Sequence, residues 1–512
     1  MAIRIVILNV LLLCQIYKMM SKLNYFLQKA ILTFVFVIGS LSTLNAQWVS
    51  PGNGTTYTFP DLVNVTNGVV TNGENGFLIN ADLTISANDV LKIDDQVLRV
   101  DIEAVLITIN GSMVCSNSNR VRFYGLNETQ HFSMRFENAT ACNLNNMYFS
   151  DGAGIKVIES EVTFDDVKFV YFTRDYCNAV IDVFNCDPVI NNCFFMMNEG
   201  AAISSPANGQ SSPQILNCSF DANADVDGLN VPQINLGPGG EDTIRIIGNE
   251  IDDHWASWHV GGISVADLMG TGSTKVLVRG NYVANGRYGY NQQGQTISSV
   301  IEENQFIDNF YEADPMNGGS GISIYGYTTN CKAKLRHNTI TGNLWGITAI
   351  YLHDIDMGTE DDWGYNEIHD NGNSSTIYDL YNNSSCDLMA VGNDWNTTDE
   401  NVIERHIVHQ FDNPDFGLVT YIPYVGYEAV NETKTTSFDI SPNPVINGDF
   451  TLTLNKIIPS EVTIYNVNGQ IVKSQHIDNL MSTINVEALI SGVYFIEVRN
   501  FEGKVVKKII IK

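Results

Sequence analysis

The sequence predicts an all-β chain: a solenoid of short stacked strands followed by a small C-terminal β-sandwich. Three observations predict it. An internal phrase recurs at irregular intervals, the composition favours turns over helices, and both strand grammar and charge change after residue 436. At 512 residues the chain exceeds one ordinary domain, so two or more folded units are expected. It is 44% hydrophobic and 17% charged, with 41 glycines, which suits many short strands joined by tight turns. β-branched and aromatic residues run through the whole length, which excludes a disordered chain.

The repeated phrase is a pair of apolar residues in alternation, an Asn, and a further apolar residue. It reads Ile215-Leu216-Asn217-Cys218-Ser219-Phe220, Ile246-Ile247-Gly248-Asn249-Glu250-Ile251 and Leu335-Arg336-His337-Asn338-Thr339-Ile340. The Asn stands at 192, 217, 249, 281, 304, 338, 366 and 393, with gaps of 25, 32, 32, 23, 34, 28 and 27 residues. Less regular copies lie near Leu144–Phe149 and Val162–Phe169. A propeller blade needs about 40 residues, and the ladder of a leucine-rich repeat is absent. Coils that hold strand register while their loops vary in length produce gaps of this kind. Asn tolerates the left-handed conformation of a sharp bend, and stacking would set these residues in a ladder about 4.8 Å apart. A second phrase opens with Gly: Gly262-Ile263-Ser264-Val265, Gly321-Ile322-Ser323-Ile324 and Gly346-Ile347-Thr348-Ala349. Alternation there places Ile inside and Ser or Thr outside. At about 28 residues per coil, residues 47–430 hold on the order of a dozen coils.

Over roughly residues 80–425 this grammar resembles the right-handed parallel β-helix superfamily, the pectate-lyase-like shape. The resemblance implies a right-handed parallel β-helix solenoid and leaves the activity open. The stretch Gly392-Asn393-Asp394-Trp395, with Ile403–Ile407 and Gly417–Tyr424, is similar to the closing coil of such proteins. A cap is physically expected there, because an open solenoid end exposes strand edges.

The formal charge of −29 is unevenly spread. Residues 1–46 hold Arg4, Lys18, Lys22 and Lys29 and no acid, and residues 437–512 balance seven basic against seven acidic residues. The segment 47–436 therefore carries −33. Such a surface repels phosphate backbones, so no nucleic-acid partner is expected. It also repels a polyanionic glycan unless a bound cation such as calcium intervenes.

Residues 1–46 read as a signal peptide. The apolar run Ala30–Leu44 follows Lys22 and Lys29, and Leu44-Asn45-Ala46 precedes Gln47 as a cleavage point. The run falls short of the roughly 20 residues of a spanning helix, so no transmembrane anchor is expected in the mature chain. A second apolar run, Ile3–Tyr17, lies upstream, and translation from Met19 or Met20 gives a conventional signal. A membrane hairpin made by both runs is the competing reading. Of nine cysteines, Cys14 precedes the cleavage point and eight lie in the central segment. Export permits disulfides, with Cys177–Cys186 and Cys193–Cys218 as possible pairs, and no Cys/His cluster suggests a metal site.

After the polar linker 431–436, alternating strands begin: Phe450–Leu454, Val462–Asn466, Ile471–Lys473, Leu489–Val498 and Lys504–Lys512, with Asn468-Gly469 as a hairpin turn. The bare pattern is an immunoglobulin-like accessory sandwich of about seven strands. The opening Pro442-Asn443-Pro444, then Tyr465-Asn466-Val467-Asn468-Gly469, Ser491-Gly492-Val493-Tyr494 and a terminal strand with Lys507 and Lys508 resemble the type A C-terminal sorting domain of the type IX secretion system of Bacteroidota. That resemblance covers 437–512. It implies contact with the type IX secretion machinery, export across the outer membrane, removal of the domain, and either release or attachment at the cell surface.

Several clusters carry candidate chemistry. Asp252-Asp253-His254-Trp255-Ala256-Ser257-Trp258-His259 combines two acids for cation binding or acid/base work, two Trp for stacking on sugars, and His254 for proton transfer. The plainer reading is a loop whose Trp residues cover a coil edge. Asp354, Asp356 and Asp361 alternate in an acidic turn that suits calcium, against a solvated acidic loop. Tyr288 and Tyr290, with Tyr325 and Tyr327, form a candidate sugar-binding face, against aromatic packing along the solenoid. Arg245, Lys275, Arg279 and Arg287 are candidate bases for lyase chemistry. Two functions follow: a surface or adhesion protein that binds carbohydrate, and a polysaccharide lyase or glycoside hydrolase acting on an extracellular glycan.

Overall fold

The computed structural model describes residues 47–126, 129, 131–224, 231–253, 259–270, 272–314, 316, 319–426, 437–457, 459–500 and 503–512. The expected signal peptide 1–46, the linker 431–436, and His254, Trp255 and Trp258 lie outside the described residues. The fold is the expected all-β, right-handed parallel β-helix with small antiparallel sheets at its C-terminal end. It divides into two compact units, Met1–Val260 and Gly261–Lys512.

In the first unit the coils stack as three parallel sheets. One sheet runs through Leu83–Ile85, Leu106–Ile109, Phe132–Glu137, Gly152–Ile158, Ala179–Phe184, Ala201–Ser204 and Ile234–Leu236, each strand pairing in parallel with the next. Period-2 alternation sends one set of side chains inward, as the repeat predicted: in Phe132–Glu137, Phe132, Met134 and Phe136 are buried. In-register pairing places Phe123, Phe149, Phe169, Phe195 and Phe220 one above another inside the coils. The later rings stack nearly parallel, with centroids 5.7, 4.9 and 5.1 Å apart. Such stacks add about 0.5–1.5 kcal/mol per pair to their burial. A seven-residue helix, Phe59–Val65, stands near the start, fixed by a capping box between Thr58 and Asp61.

The second unit continues the coil grammar. Its strands Ile263–Asp267, Tyr290–Gly294, Ile322–Arg336, Ile347–Asp356, Leu380–Asn383 and Ile407–Val408 pair in parallel, and the sequence turns a corner within the two long ones. Inside one corner runs an amide ladder. The Asn281, Asn304, Asn338 and Asn366 side-chain amides each donate to the Oδ1 of the next Asn, ending on Asn393, at 2.9, 2.9, 2.8 and 2.8 Å. The backbone N–H groups of the same four residues donate to the same oxygens. A second ladder runs Asn309–Asn343–Asn371 and ends on Asp379.

These ladders correct the sequence reading in one respect. Asn192 and Asn217 do occupy the left-handed bend, at φ 51° and 52°. From the next coil onward the bend belongs to the preceding residue: Gly248, Gly280, Glu303, His337, Tyr365 and Gly392 have φ between 50° and 73°. The Asn that follows each is buried. Its role is to satisfy buried backbone groups rather than to adopt an unusual backbone. The equivalent positions after Asn192 and Asn217 hold Cys193 and Cys218, whose N–H groups donate to Cys218 Sγ at 3.4 Å and Asn249 Oδ1 at 2.9 Å.

All eight described cysteines are free thiols, so neither of the two possible pairs is bridged. Cys177 and Cys186 flank the six-residue strand Ala179–Phe184, which holds them beyond bridging distance. Cys193 and Cys218 lie in one buried column, and burial pushes the Cys193 thiol well up.

The last strands form two antiparallel sheets, one of three strands (Phe438–Ser441, Asp449–Leu454, Met481–Asn485) and one of four (Ser460–Asn466, Ile471–Ile477, Gly492–Asn500, Gly503–Ile511). Their shared core includes Phe450, Leu452, Ile464, Ile484, Ile496 and Ile509. This is the seven-strand sandwich the alternation predicted.

Candidate functional site

The C-terminal sandwich explains its own motif. Asn443, between Pro442 and Pro444, donates to the Lys508 carbonyl and accepts from the Ile510 N–H, both at 3.0 Å, which ties the opening turn to the terminal strand. Gly469 takes φ 79° in the hairpin turn. The Tyr494 hydroxyl donates to the Ile490 carbonyl just before Gly492, and Lys507 pairs with Asp439 at 3.0 Å. Lys508 stays exposed on the same strand.

Within the β-helix, the expected acid pair Asp252–Asp253 is split by strand alternation. Asp252 stands in register with Asp221 of the preceding coil. Burial, and then the nearby Asp252, push the Asp221 carboxyl up. Asp253 is fully interior, at the end of a third polar chain, Asn198–Asn223–Gln233–Asp253. Burial drives its carboxyl strongly toward the neutral acid. It is a buried acid, and among the described residues it does not share a surface with Asp252.

Two of the expected calcium ligands, Asp354 and Asp356, are instead engaged by cations. Alternation along Ile322–Arg336 turns Lys332, Lys334 and Arg336 outward, and register sets Lys332 beside Asp354 and Lys334 beside Asp356. Lys332 pairs with Asp354, while the buried Arg336 grips both Asp356 oxygens and also Asp362. Arg336 and Lys334 hold the Asp362 carboxyl well below the ordinary range. Asp361 is exposed. Among the described residues no group of acids, His or Cys is arranged to hold a metal.

The aromatic face divides. Tyr290 is fully buried because its register position faces the interior, and Tyr288 is nearly so, its ring packed against Gly261. Neither is open to a sugar. Arg287 is also buried and paired with Glu312 at 3.1 Å, Arg279 pairs with Glu302, and Arg245 bonds Gln214. Tyr325 and Tyr327 do face outward, and Tyr351 joins them. The Tyr325 ring lies 5.5 Å from Tyr327 and 5.0 Å from Tyr351, both edge to face. Tyr327 is 40% and Tyr351 51% exposed, with Leu352 exposed beside them. Gln293 donates to the Tyr327 hydroxyl at 2.8 Å, orienting that ring. Tyr351 adopts φ 58°, an outlier for a bulky side chain. Burial and the neighbouring Tyr351 push the Tyr325 phenol up to about 12.

One polar row was missed by the sequence reading. In the first unit, Thr108, Arg135, Lys156, Asp182, Ser204 and Asn235 are paired in register on the outward side of one sheet. Burial pushes the Asp182 carboxyl up despite Ser204 donating to it at 2.9 Å, and the Tyr176 ring covers the Lys156 ammonium at 4.6 Å. These residues lie 20 or more apart in sequence, so only coil register brings them together. The outward Ser and Thr of the second unit are less accessible than alternation implied. Ser323 and Thr348 are fully buried, and Thr348 bonds Ser320 of an overlying loop at 2.8 Å.

These features define the class: a parallel β-helix protein carrying a C-terminal secretion sorting domain. Residues 439–512 match the family described as Secretion system C-terminal sorting domain, and residues 244–401 match a Protein of unknown function family, DUF1565. The sorting domain marks the chain as a protein exported by the type IX machinery to the cell surface or medium. No helix among the described residues is long and apolar enough to cross a membrane. No curated protein matches the sequence. Similar solved structures include a mutant of the periplasmic alginate epimerase AlgG, at 10% identity, covering 72% of this chain and 81% of that one, with TM-score 0.41. A mutant tailspike of E. coli bacteriophage HK620 in complex with a pentasaccharide is 11% identical, covering 94% and 87%, with TM-score 0.35. A tailspike of Acinetobacter baumannii bacteriophage Fri1, a capsular polysaccharide depolymerase, is 12% identical, covering 80% and 73%, with TM-score 0.30.

Proposed function

We propose that this is an exported glycan-binding protein of the cell surface, with the β-helix as its working part and the sorting domain as a removable address. The observation that carries the reading is the outward cluster of Tyr325, Tyr327 and Tyr351. Ring faces fixed by one another and by Gln293 present apolar area at low entropic cost, which is what stacking on a pyranose requires. The test is binding of the purified protein to a panel of neutral and acidic polysaccharides, with and without calcium. The Tyr327→Ala/Tyr351→Ala double variant is expected to weaken a bound glycan at least about tenfold, roughly 1.4 kcal/mol. Unchanged binding by that variant sinks the reading.

A second reading, a polysaccharide lyase or hydrolase, is favoured by the Arg135–Lys156–Asp182 row. Arg135 is held by Glu137 at 2.7 Å, which leaves the Lys156 ammonium to meet a substrate carboxylate, and an acid with a raised pKa suits proton transfer. Release of shortened glycan in the same panel, abolished by Asp182→Asn, would replace the binding model with this one.

A further inference from the structure

The closing coil holds a cavity that neither reading uses. It measures about 480 Å³ and lies between the helix Glu400–His406 and the segment Leu418–Ile422, inside the range of roughly 300–1,000 Å³ typical of small-ligand sites. Its polar wall is built around Glu404. One Glu404 oxygen meets His409 Nε2 at 3.0 Å, and the other accepts the Tyr421 hydroxyl at 2.8 Å. His409 is fully buried, and its Nδ1 accepts the Val419 N–H at 3.0 Å, so the ring proton sits on Nε2 and is donated to Glu404. Burial and the adjacent Glu404 push the Tyr421 phenol up, which keeps it a donor. The Glu404 carboxylate is thereby fixed in orientation, while its side chain stays 33% exposed.

The remaining wall adds charge and a ring. Glu400 stands one helical turn before Glu404 and also lines the cavity. Phe411 lines it too, 75% exposed and set edge to face on His409 at 4.9 Å. An exposed Phe held in place by a buried ring offers a stacking face. Among the described residues no Lys or Arg lines the cavity. Two carboxylates, with no Lys or Arg partner among the described residues, favour a cation and repel uronates.

We propose that this cap cavity binds an amine-bearing pyranose, a hexosamine unit whose ammonium meets Glu400 and Glu404 and whose ring face stacks on Phe411. The site is separate from the tyrosine face and does not depend on it. The test is calorimetric titration of the full-length protein with a glucosamine oligomer, its N-acetylated counterpart and a galacturonate oligomer. The glucosamine oligomer is expected to bind, more weakly as salt rises. Glu400→Gln and Phe411→Ala, both at exposed side chains that leave the fold intact, are each expected to weaken it at least tenfold. The N-acetylated oligomer is expected to bind at least tenfold more weakly and the galacturonate oligomer not at all. Absence of glucosamine binding overturns the proposal, as does equal affinity for the N-acetylated form. Binding lost in Tyr327→Ala but kept in Phe411→Ala assigns the ligand to the tyrosine face and also overturns it.

Discussion

The two units solve the same packing problem with different chemistry. Each needs an interior column that repeats every coil and leaves no backbone group unpaired. In the first unit that column is apolar and sulfurous: Val121, Met147, Val167, Cys193 and Cys218, beside the stack of Phe123 to Phe220. In the second the corresponding corner carries the Asn281–Asn393 ladder, and the neighbouring inward positions are Val283, Phe306, Ile340 and Ile368, with one ring among them. Apolar burial is non-directional and tolerates small shifts. An amide ladder satisfies several buried groups per residue and fixes register, so each of its members is costly to lose. At this corner the first unit is therefore expected to be forgiving and the second exacting.

The sharpest way to break this contrast is to exchange the columns. Asn338→Cys leaves the Asn304 amide and N–H and the Ile301 carbonyl without their partners, and is expected to cost roughly 3–5 kcal/mol by urea denaturation. The reverse exchange, Cys218→Asn, extends an amide into a column that already ends on Asn249, and is expected to change stability by no more than about 1 kcal/mol. Equal costs in both directions would dissolve the comparison.

A second probe is pH. His353 is buried against Ser384 at 2.8 Å, and burial lowers its pKa to about 4. Between that value and the unfolded value near 6.5 the unfolded chain binds more protons, so this group's contribution is present above pH 6.5 and lost as pH falls toward 4. The loss amounts to about 2–3 kcal/mol. His353→Gln is expected to flatten the wild-type decline over that window, measured as urea midpoints at pH 7 and pH 4.5. An unchanged slope would show that His353 is not the group responsible.

Smaller effects separate packing from pairing. Phe195→Leu removes one ring from the stack and is expected to cost about 1–2 kcal/mol in thermal or urea unfolding. Lys332→Ala breaks an ion pair whose partners are both half-exposed, and is expected to cost about 0.5 kcal/mol or less. A Lys332 effect larger than the Phe195 effect would mean that the surface pairs, rather than the interior columns, distinguish the units.

Much of this was legible in the chain. Strand alternation, the corner phrase and its uneven spacing gave the coils, and the motifs around Asn443, Gly469 and Tyr494 marked the final sandwich. The ladder was half legible: Asn at 249, 281, 304, 338, 366 and 393 was found, but its function was assigned to the bend. The phrase shifts by one residue between Asn217 and Asn249, and spacing alone does not say which residue turns the corner. Of the candidate site, Tyr325 and Tyr327 were anticipated. Tyr351 was not, because its left-handed backbone breaks the alternation that would have predicted its direction.

By itself the sequence determined the repeating unit and the C-terminal sorting motifs, because these depend on local periodicity and short contiguous motifs. Tertiary structure alone decided which side chains share a surface. Arg135, Lys156 and Asp182 become neighbours, and Asp252 and Asp253 part, because coil register joins residues 20 to 30 apart while strand alternation sends adjacent ones to opposite faces.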